Sequence, residues 1–373
     1  MVEELPNPCK VGIFGTGPLV RALLPHIKRN FEVVAIWDAD DSELEEEAES
    51  LNISIYSSHE DDVLLNKDIG LLIILCPPIH HAQIAVKALG TFKHVYVHPP
   101  CATNAPQTLR MVQSAAYYPN LVAVVGSLRS MPAVAEMKRL IDDGFLGSEI
   151  IHCDLRLQSP PLVQNRYSWK CSEDMGGGVL NYFGSHVLDL IVFLLGQKAS
   201  RVNAVFRTVQ KRNLKIGGIR HITADDVASL AIETEANCLV TINLSSQATS
   251  FSQELTVTGN EGQLILRNSN LYGRKLMMDN SQAEDVLFLD TLKNNSKIED
   301  DIKEEIIPEV YLQAYAKLFD GLKSTLTSNN DNKHLLATFE DALHVSEIIW
   351  AARQSFIEKS WCRVISGIAA GEK

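Results

Sequence analysis

Short apolar runs alternate with amphipathic segments through the first third of the chain. The apolar runs cover residues 11–14, 33–37, 69–76, 94–97 and 121–125. Runs without regular polar alternation are typical of parallel strands that are buried on both faces. The segments between them predict helices at residues 19–27, 42–51, 81–89 and 104–117. This order of strands and helices predicts an N-terminal doubly wound Rossmann domain.

The pattern changes beyond residue 126. Residues 150–157 alternate between apolar and polar positions, and five further strands are predicted at 202–210, 227–234, 238–245, 254–258 and 263–267. Residues 259–262, Gly-Asn-Glu-Gly, predict a hairpin turn between the last two strands. Successive strands with partial alternation indicate an open, largely antiparallel sheet. We therefore expect a Rossmann domain over residues 1–126 and a C-terminal α/β domain over residues 127–373.

Four helices accompany this second half. They are predicted at residues 132–144, 180–195, 309–324 and 337–356. The third carries one apolar stripe, formed by Leu312, Tyr315, Ala316, Phe319 and Leu322. The polar, charged residues 294–305 predict a mobile loop.

Composition limits the classes of partner. The 373 residues include 34 Lys and Arg against 46 Asp and Glu, a formal net charge of −12. Nucleic acids and anionic membranes are bound by clustered positive charge, so this balance disfavours both as partners. An anionic dinucleotide remains compatible, because backbone N–H groups can bind its phosphates.

Cysteine usage predicts a reducing compartment. The seven cysteines are scattered and odd in number, and they include no Cys-x-x-Cys pair, which argues against a structural zinc site. No apolar run approaches the ~20 residues that span a bilayer, and residues 1–10 lack the apolar region of a signal peptide. We expect a cytoplasmic protein without a metal site.

The first strand leads into the turn Gly15-Thr16-Gly17, which is followed by Pro18 and Leu19. A strand, a Gly-x-Gly turn and an amphipathic helix together form the opening of a dinucleotide-binding unit. The first glycine permits a tight turn, and the second lets the backbone approach a pyrophosphate at the helix N-terminus. The third small residue of the motif is replaced by a valine, so the match is incomplete.

Asp38 follows the second strand, 23 residues after Gly15. An acid at this place accepts a hydrogen bond from a ribose hydroxyl and repels a 2′-phosphate, which favours NAD over NADP. The alternative is a surface aspartate that opens a helix, as its acidic neighbours suggest. Cys76, Pro77 and His81 follow the third strand, whose carboxyl end faces the ligand crevice of such sheets. They are further candidates for cofactor contact, with helix capping as the alternative for His81.

Together these segments resemble the Gfo/Idh/MocA oxidoreductase family, which includes glucose–fructose oxidoreductase and inositol dehydrogenase. The resemblance is carried by residues 11–21, 76–85, 93–102, 125–129 and 169–190 and by the last two helices. A closer resemblance, to the glucose–fructose oxidoreductase domain-containing proteins of animals, is carried by residues 11–16, 115–119, 175–178, 195–198 and 215–220. The resemblance implies hydride transfer between a nicotinamide cofactor and a small sugar, polyol or carbonyl substrate. It also implies a homodimer formed through the outer face of the second sheet.

The chain departs from the family at the motif that normally reads Glu-Lys-Pro. In the family, this lysine contacts nicotinamide and substrate and assists proton transfer. The corresponding residues here are His98, Pro99 and Pro100, so the lysine place has no titratable group. His98 is either a replacement acid–base residue or a solvent-facing residue of the turn.

A second family motif places an aspartate four residues before a histidine, on a helix that faces the nicotinamide. His186 is present, and Tyr182 occupies the aspartate place. A tyrosine can move a proton, but its ordinary pKa of ~10 makes it a poor base near neutrality. The alternatives are aromatic packing for Tyr182 and a hydrogen-bonded helix position for His186.

Arg129 and Trp169 match family residues near the cofactor or active cleft, and a structural role fits both equally. Asp189 is expected on the polar helix surface or as an orienter of a neighbour.

Two classes of function follow. In the first, the chain is an NAD-dependent oxidoreductase in which His186, with Tyr182 or His98, moves the proton. In the second, it is a nucleotide-binding pseudoenzyme that acts through a protein partner, which the missing lysine favours. Lyase or NAD-assisted glycosidase chemistry is a third alternative. Some members of the subgroup are associated with extracellular matrix, so an extracellular location stands beside the cytoplasmic one.

Overall fold

The structure is a computed structural model that describes residues 7–42, 44–163, 167–209, 221–275, 285–288, 308–327 and 335–367. The loop predicted over residues 294–305 and the resemblance segment 215–220 lie outside these residues. Strands and helices are numbered in chain order. The strands are β1 (Lys10–Phe14), β2 (Glu32–Trp37), β3 (Ile55–Ser57), β4 (Leu71–Ile74), β5 (His94–Val97), β6 (Ala123–Val125), β7 (Ile150–Gln158), β8 (Ala199–Arg207), β9 (Val227–Thr234), β10 (Leu239–Ser245), β11 (Ser252–Gly259), β12 (Gly262–Arg267), β13 (Asn270–Lys275), β14 (Asp285–Phe288), β15 (Ala337–Thr338) and β16 (Cys362–Arg363). The helices are α1 (Pro18–Asn30), α2 (Leu44–Ser50), α3 (Glu60–Leu64), α4 (Pro78–Gly90), α5 (Ala105–Tyr117), α6 (Pro132–Asp142), α7 (Val179–Tyr182), α8 (Gly184–Leu195), α9 (Glu309–Thr327) and α10 (Phe339–Glu358).

The chain divides into two compact units. Unit 1 comprises residues 1–127, 298–343 and 369–373, and unit 2 comprises residues 128–297 and 344–368. The boundary expected after residue 126 lies next to the first of these divisions. Residues 298–343, which contain α9, group with unit 1.

Unit 1 contains a seven-stranded sheet with the order β15-β6-β5-β4-β1-β2-β3. Strands β1 to β6 are parallel to their neighbours, and β15 is antiparallel to β6. All residues of β4 and β5 are buried, as expected for strands that helices cover on both faces. The predicted Rossmann arrangement is confirmed. The pattern does not predict β3 and β15, because Ile55 and Tyr56 in β3 are exposed and β15 has only two residues.

Helix α9 joins unit 1 because its apolar stripe packs on β5. The ring centroid of Phe319 lies 5.2 Å from that of Tyr96, and the ring centroid of Tyr315 lies 5.2 Å from that of His98. Tyr96 and His98 are two residues apart and therefore face the same side of the strand. Helical periodicity predicts the stripe, but it does not identify the surface that the stripe covers.

Unit 2 contains a nine-stranded sheet with the order β14-β13-β12-β11-β7-β10-β9-β8-β16. Strands β7 and β10 are parallel, and the other neighbours are antiparallel. In β7, Cys153, Leu155 and Leu157 are buried while the residues between them are not. Helices α6 and α7 contact the sheet, and α8 packs on both helices. The predicted α/β domain with a largely antiparallel sheet is confirmed.

The single helix predicted over residues 180–195 is broken at Phe183. Segment Glu173–Tyr182 and helix α8 are bent by 52°. The N–H of His186 donates to the carbonyl oxygen of Phe183 and not to that of Tyr182, so the i to i−4 ladder is interrupted at the break. Among the described residues, no single helix is long and apolar enough to cross a membrane; by length and composition, the bent pair meets that test only when both parts are counted together.

Candidate functional site

The turn after β1 requires glycine at two positions, for different reasons. Gly15 has a φ of +124°, and a Cβ atom there would lie 2.7 Å from the backbone nitrogen of Cys76. Gly15 therefore allows β1 to approach the turn after β4 closely. Gly17 has a φ of +85°, and a Cβ atom there would meet no atom within 4 Å. Gly17 sets the turn while the space beside it stays open to a ligand.

The N-terminus of α1 offers fewer N–H donors than the motif predicts. Pro18 is the first residue of α1 and has no N–H. The Gly17 N–H donates to Oε1 of Glu47 over 3.3 Å, and Nε of Arg21 donates to the same oxygen over 3.0 Å. The N–H of Leu19 lies in the first helical turn, where no intrahelical acceptor is available. Sequence reasoning misses the buried Glu47, because α2 reads as a uniformly acidic helix.

Asp38 directly follows β2, and both of its carboxylate oxygens accept hydrogen bonds. The Thr16 hydroxyl donates to Oδ2 over 2.7 Å, and the N–H of Asp40 donates to Oδ1 over 3.1 Å. The first bond joins the acid to the glycine turn. The second bond is a local turn within the segment after β2; because α2 begins only at Leu44, Asp38 does not open that helix.

A hollow of about 450 Å³ lies beside Asp38 in unit 1. It is lined by residues from the end of β2, from the start of α3 and from α4, namely Trp37, Ala39, Ser58, His59, Glu60, Asp61, His80, Gln83 and Ile84. The indole N–H of Trp37 donates to the carbonyl oxygen of Ser58 over 3.1 Å, and the Trp37 and His80 rings meet edge to face with centroids 6.3 Å apart. The hollow combines aromatic walls with carboxylates, which suits an uncharged planar ring better than an anion.

His81 joins the turn after β4 to the turn after β5. Its Nε2 lies 2.6 Å from the carbonyl oxygen of Cys76, and its Nδ1 lies 3.1 Å from that of Pro100. Burial lowers the pKa of His81 to about 4. The two carbonyl oxygens act in the opposite direction, because they favour the protonated ring, but burial has the larger effect. At neutral pH the ring therefore donates to one carbonyl only. His81 is enclosed, and its ring contacts backbone rather than open space.

Cys76 and Pro77 lie at the same junction. The Cys76 thiol is buried, and burial, together with the negative charge of Asp38, raises its pKa. Pro77 is half-buried and immediately precedes α4. These two residues form the wall opposite Gly15 and have no side chain that is ionised at neutral pH.

The structure corrects the expectation of a solvent-facing His98. The imidazole is buried, and its ring is tilted by 40° against the ring of Tyr315 on α9. Pro99 lies against Gly126, where a Cβ atom would be 2.8 Å from Cδ of the proline ring. The lysine place of the family motif is therefore a packed turn without a titratable side chain.

In unit 2, Trp169, Lys170 and Tyr182 form an aromatic cluster around a buried ammonium group. The rings of Trp169 and Tyr182 have centroids 5.9 Å apart. Nζ of Lys170 lies 5.1 Å from the Tyr182 centroid and 6.0 Å from the Trp169 centroid. Sequence reasoning misses Lys170, because a lysine next to a loop tryptophan is usually solvated.

His186 is the third residue of α8 and lies in the first turn after the helix break. It is buried, and burial lowers its pKa to about 3. The imidazole is therefore neutral at neutral pH and is a weak base in this state. Because the helix ladder is interrupted at Phe183, His186 and Tyr182 are not in the uninterrupted i, i+4 relation that one helix predicts.

Arg129 forms an ion pair with Asp189 inside unit 2. Its Nε and one terminal nitrogen lie 3.1 and 2.6 Å from the two carboxylate oxygens of Asp189, and both residues are buried. The guanidinium carbon also lies 5.0 Å from the ring centroid of Phe193, one helical turn beyond Asp189. Asp189 thus orients Arg129 and is not part of the polar helix surface.

The predicted site residues fall into separate groups. In unit 1 the turn Gly15 to Leu19, Asp38, Cys76, Pro77 and His81 meet at the carboxyl ends of β1, β2 and β4. In unit 2 Tyr182 meets Trp169, and Arg129 meets Asp189. Within the ranges that the structure describes, no group of three or more His, Cys, Asp or Glu side chains could hold a metal ion.

Two family descriptions match the chain. Residues 9–125 match "Oxidoreductase family, NAD-binding Rossmann fold", and residues 134–265 match "GFO/IDH/MocA C-terminal domain". The chain is 34% identical over 361 residues to glucose-fructose oxidoreductase domain-containing protein 2 of Mus musculus, which covers 94% of this chain and 92% of the relative. It is 33% identical over 363 residues to glucose-fructose oxidoreductase domain-containing protein 1 of Mus musculus, with 94% of this chain and 91% of the relative covered.

Solved structures share the fold. An NAD-binding oxidoreductase from Klebsiella pneumoniae has a TM-score of 0.79 at 20% identity, with 96% of this chain and 99% of that chain covered. A levoglucosan dehydrogenase in complex with NADH and levoglucosan has a TM-score of 0.79 at 20% identity, with 95% and 99% covered. At this identity the likeness shows the shared fold alone.

Proposed function

Because the chain belongs to the Gfo/Idh/MocA oxidoreductase family, we propose that it transfers hydride between NAD and a sugar, a polyol or a related small carbonyl compound. The observation that carries this proposal is the hydrogen bond between Thr16 and Asp38, which joins the glycine turn to the acid at the end of β2. When bound, the cofactor supplies the hydride acceptor or donor. The chain's own residues bind the cofactor and move the proton.

In this proposal, the turn from Gly15 to Leu19 holds the pyrophosphate. Gly17 leaves the space beside the turn open, and Leu19 supplies a first-turn N–H. Asp38 accepts the ribose hydroxyls, held in orientation by Thr16. The hollow beside Trp37 and His80 takes the adenine ring.

The preference for NAD follows from charge. Glu60 and Asp61 line this hollow, and Asp38 lies in the chain between its lining residues Trp37 and Ala39, so a 2′-phosphate would add a further negative group there. Cys76 and Pro77 would line the nicotinamide half of the site, and His81 would position the Cys76 backbone by bonding its carbonyl oxygen. The levoglucosan dehydrogenase of the same fold was solved with NADH, which supports a nicotinamide cofactor here without deciding its phosphorylation.

We assign proton transfer to unit 2. Tyr182 holds the family's aspartate place, and His186 holds the histidine place. The neutral His186 is suited to orienting a substrate oxygen, while the Tyr182 hydroxyl can give or take a proton. The alternative to a residue of unit 2 is His98, which lies in unit 1. Arg129 pairs with Asp189, and Trp169 packs on Tyr182.

The missing lysine sets the expected rate. A positioned acid or base typically contributes ~10² to 10⁴ in rate. Replacement of the family's lysine by Pro99 is therefore expected to slow the reaction or change its type. The contribution of cofactor binding to the rate remains. A cofactor that is held tightly and recycled in place also fits this arrangement.

A second candidate function is a nucleotide-binding pseudoenzyme that acts through a protein partner. Two observations favour it. The Pro99 turn is packed and cannot titrate, and the Glu47 carboxylate already accepts the Gly17 N–H at the phosphate position. In this case the bound nucleotide acts as a structural ligand or as a signal of redox state.

One experiment separates the two functions. The purified protein is analysed for bound nucleotide by mass spectrometry, and absorbance of reduced nicotinamide is followed against a panel of sugars and polyols. Turnover that is lost in His186→Ala but kept in His221→Ala, a control at an exposed histidine, supports the enzyme. Bound nucleotide without turnover supports the pseudoenzyme, and absence of nucleotide binding at high NAD concentration contradicts both.

The proposal includes a homodimer in a reducing, cytoplasmic setting. Val205 and Leu239 are exposed on the alternate, uncovered positions of their strands in the unit 2 sheet, and pairing of that face between two copies would cover them. All seven cysteines are free thiols, as a reducing compartment maintains. Light scattering at low concentration tests the dimer, with Leu239→Asp expected to shift it toward the monomer.

A further inference from the structure

Lys170 is a buried cation held against two aromatic rings. Its side chain is 7% exposed, and Nζ lies 5.1 Å from the ring centroid of Tyr182 and 6.0 Å from that of Trp169. An ammonium group leaves water only where negative or π-electron density replaces its hydration. The two rings contribute that density, and Tyr182 is the one whose hydroxyl can ionise.

The backbone fixes this placement. A Cβ atom at Gly177 would lie 2.5 Å from the carbonyl oxygen of Trp169 and 2.6 Å from that of Lys170. The turn that carries Lys170 is therefore docked on Gly177, two residues before the start of α7, which ends at Tyr182. The position of Lys170 relative to Tyr182 depends on this contact, and not on the freedom of a long surface side chain.

We propose that Lys170 is a positioning residue that stabilises the ionised form of Tyr182 and so makes this tyrosine the proton acceptor of the reaction. The inference rests on the proposed hydride-transfer function. It explains how a chain with proline at the family's lysine place keeps a cation in its acid–base machinery.

The proposed step balances as follows. In the oxidation of an alcohol, the O–H bond breaks and its proton joins the phenolate oxygen of Tyr182. The electron pair left on the substrate oxygen forms the second bond of the carbonyl group. The hydrogen of the C–H bond leaves with both electrons to the oxidised nicotinamide dinucleotide. In the reverse direction, the Tyr182 hydroxyl returns the proton, and Lys170 again faces a phenolate.

Among the described residues, three charged groups close to α7 are paired with one another. Asp225 accepts the N–H of Leu180 over 2.9 Å and is ion-paired with Arg353 over 3.1 Å. Arg353 also pairs with Glu173 over 2.9 Å. Burial lowers the pKa of His186 to about 3, so it carries no charge at neutral pH. Lys170 is the ammonium group whose contact with the Tyr182 ring the structure describes.

Without such a cation, burial works against the role. Burial raises the pKa of Tyr96, a tyrosine enclosed in unit 1. Tyr182 is also buried, so a phenolate there needs a compensating positive charge. A unit positive charge about 5 Å from a phenol shifts its ionisation toward the phenolate by about two pH units when the effective dielectric constant is about 20.

The direct test is a spectroscopic titration of the cofactor-free protein. The ultraviolet absorbance of tyrosinate is recorded against pH for the wild type and for Tyr182→Phe, and their difference isolates Tyr182. The same pair is measured in the Lys170→Met background. We expect Lys170→Met to move the Tyr182 transition upward by about one to two pH units, and Lys170→Arg to leave it near the wild-type position.

An unchanged transition in Lys170→Met overturns the inference, whether or not the protein turns over a substrate. If Lys170→Met does not fold, Lys170→Gln removes the charge while keeping a polar end, and the same outcome applies. Dissociation of NAD, measured by calorimetry, is expected to stay unchanged in both variants. A shifted transition with no turnover on any substrate supports the Lys170–Tyr182 pairing and contradicts hydride transfer, so the two failures are distinguishable.

With a substrate in hand, the pH profile provides a second readout. The acidic limb of kcat/KM is expected to move to higher pH in Lys170→Met, with recovery in Lys170→Arg. A purely structural role would lower the rate evenly across pH, and that result would overturn the inference.

Discussion

The Thr16 hydroxyl donates a hydrogen bond to Oδ2 of Asp38 over 2.7 Å, across 22 residues of chain. This bond links the glycine turn, for which we propose phosphate binding, to the acid for which we propose ribose selection. The turn therefore holds the acceptor oxygen in place, and the two parts of the proposed site are coupled.

We predict that Asp38→Ser reduces the preference for NAD over NADP by about 10- to 100-fold. The substitution removes a charge-assisted acceptor for the ribose, worth about 1.5–3 kcal/mol, and the repulsion of a 2′-phosphate. Dissociation constants for both dinucleotides, measured by calorimetry, provide the test. Asp41→Ser, at an exposed neighbour, is the matched control, and an unchanged preference in Asp38→Ser would remove Asp38 from the site.

Glu47→Gln is predicted to tighten NAD binding several-fold. The carboxylate accepts the Gly17 N–H and lies beside the N-terminus of α1, where it opposes an incoming pyrophosphate. The amide removes the negative charge and frees Arg21 from its ion pair. Isothermal calorimetry is the measurement, with Glu46→Gln, exposed on the same helix, as control. Weaker binding in Glu47→Gln would show that the carboxylate instead holds the turn in its binding shape.

Local signals predict the fold of each half well. The apolar run of β4 is buried on both faces, so a continuous pattern is sufficient to predict a parallel strand. The alternation in β7 likewise predicts a strand with one covered face. The pattern cannot identify the surface on which an apolar helix face packs. Phe319 contacts Tyr96 in β5 and Tyr315 contacts His98 directly after it, more than 200 residues earlier in the chain.

The same limit applies to the site. The glycine turn and Asp38 can be predicted because each is a short motif next to a strand. Glu47 and Lys170 cannot, because their roles arise from contacts that folding creates, with Gly17 in one case and with the Tyr182 ring in the other. A charged side chain in sequence is most often solvated, and only tertiary burial distinguishes these two.

Asp189→Asn is predicted to destabilise the protein by about 3–5 kcal/mol. It removes the carboxylate charge that two nitrogens of the buried Arg129 guanidinium contact. Replacing both partners by apolar residues, Arg129→Met with Asp189→Leu, is expected to recover most of this loss. Urea unfolding measures both, and Glu136→Gln, which breaks an exposed pair with Arg139, is expected to cost less than about 1 kcal/mol. Equal losses in Asp189→Asn and Glu136→Gln would contradict the burial argument.

Stability is predicted to fall as the pH drops from 6.5 towards 4, in part because of His94. Its Nδ1 accepts the N–H of Val122 over 2.9 Å, so the ring must be unprotonated at that nitrogen in the folded state. Burial lowers the pKa of His94 from 6.5 to about 4. The unfolded chain therefore takes up a proton first, and stability present above pH 6.5 is lost through this window, by up to about 3 kcal/mol for this group.

The test compares urea unfolding at several pH values in this range for the wild type, His94→Asn and His221→Asn. The asparagine side-chain oxygen can accept the Val122 N–H and does not titrate, so His94→Asn is expected to show a shallower loss of unfolding free energy with falling pH. Part of the slope remains, because burial also lowers the pKa values of His81 and His186, and carboxylates add their own protonation. His221 is exposed, so its replacement is expected to leave the wild-type slope in place. Identical slopes for His94→Asn and His221→Asn would show that His94 is protonated as readily in the folded protein as in the unfolded chain.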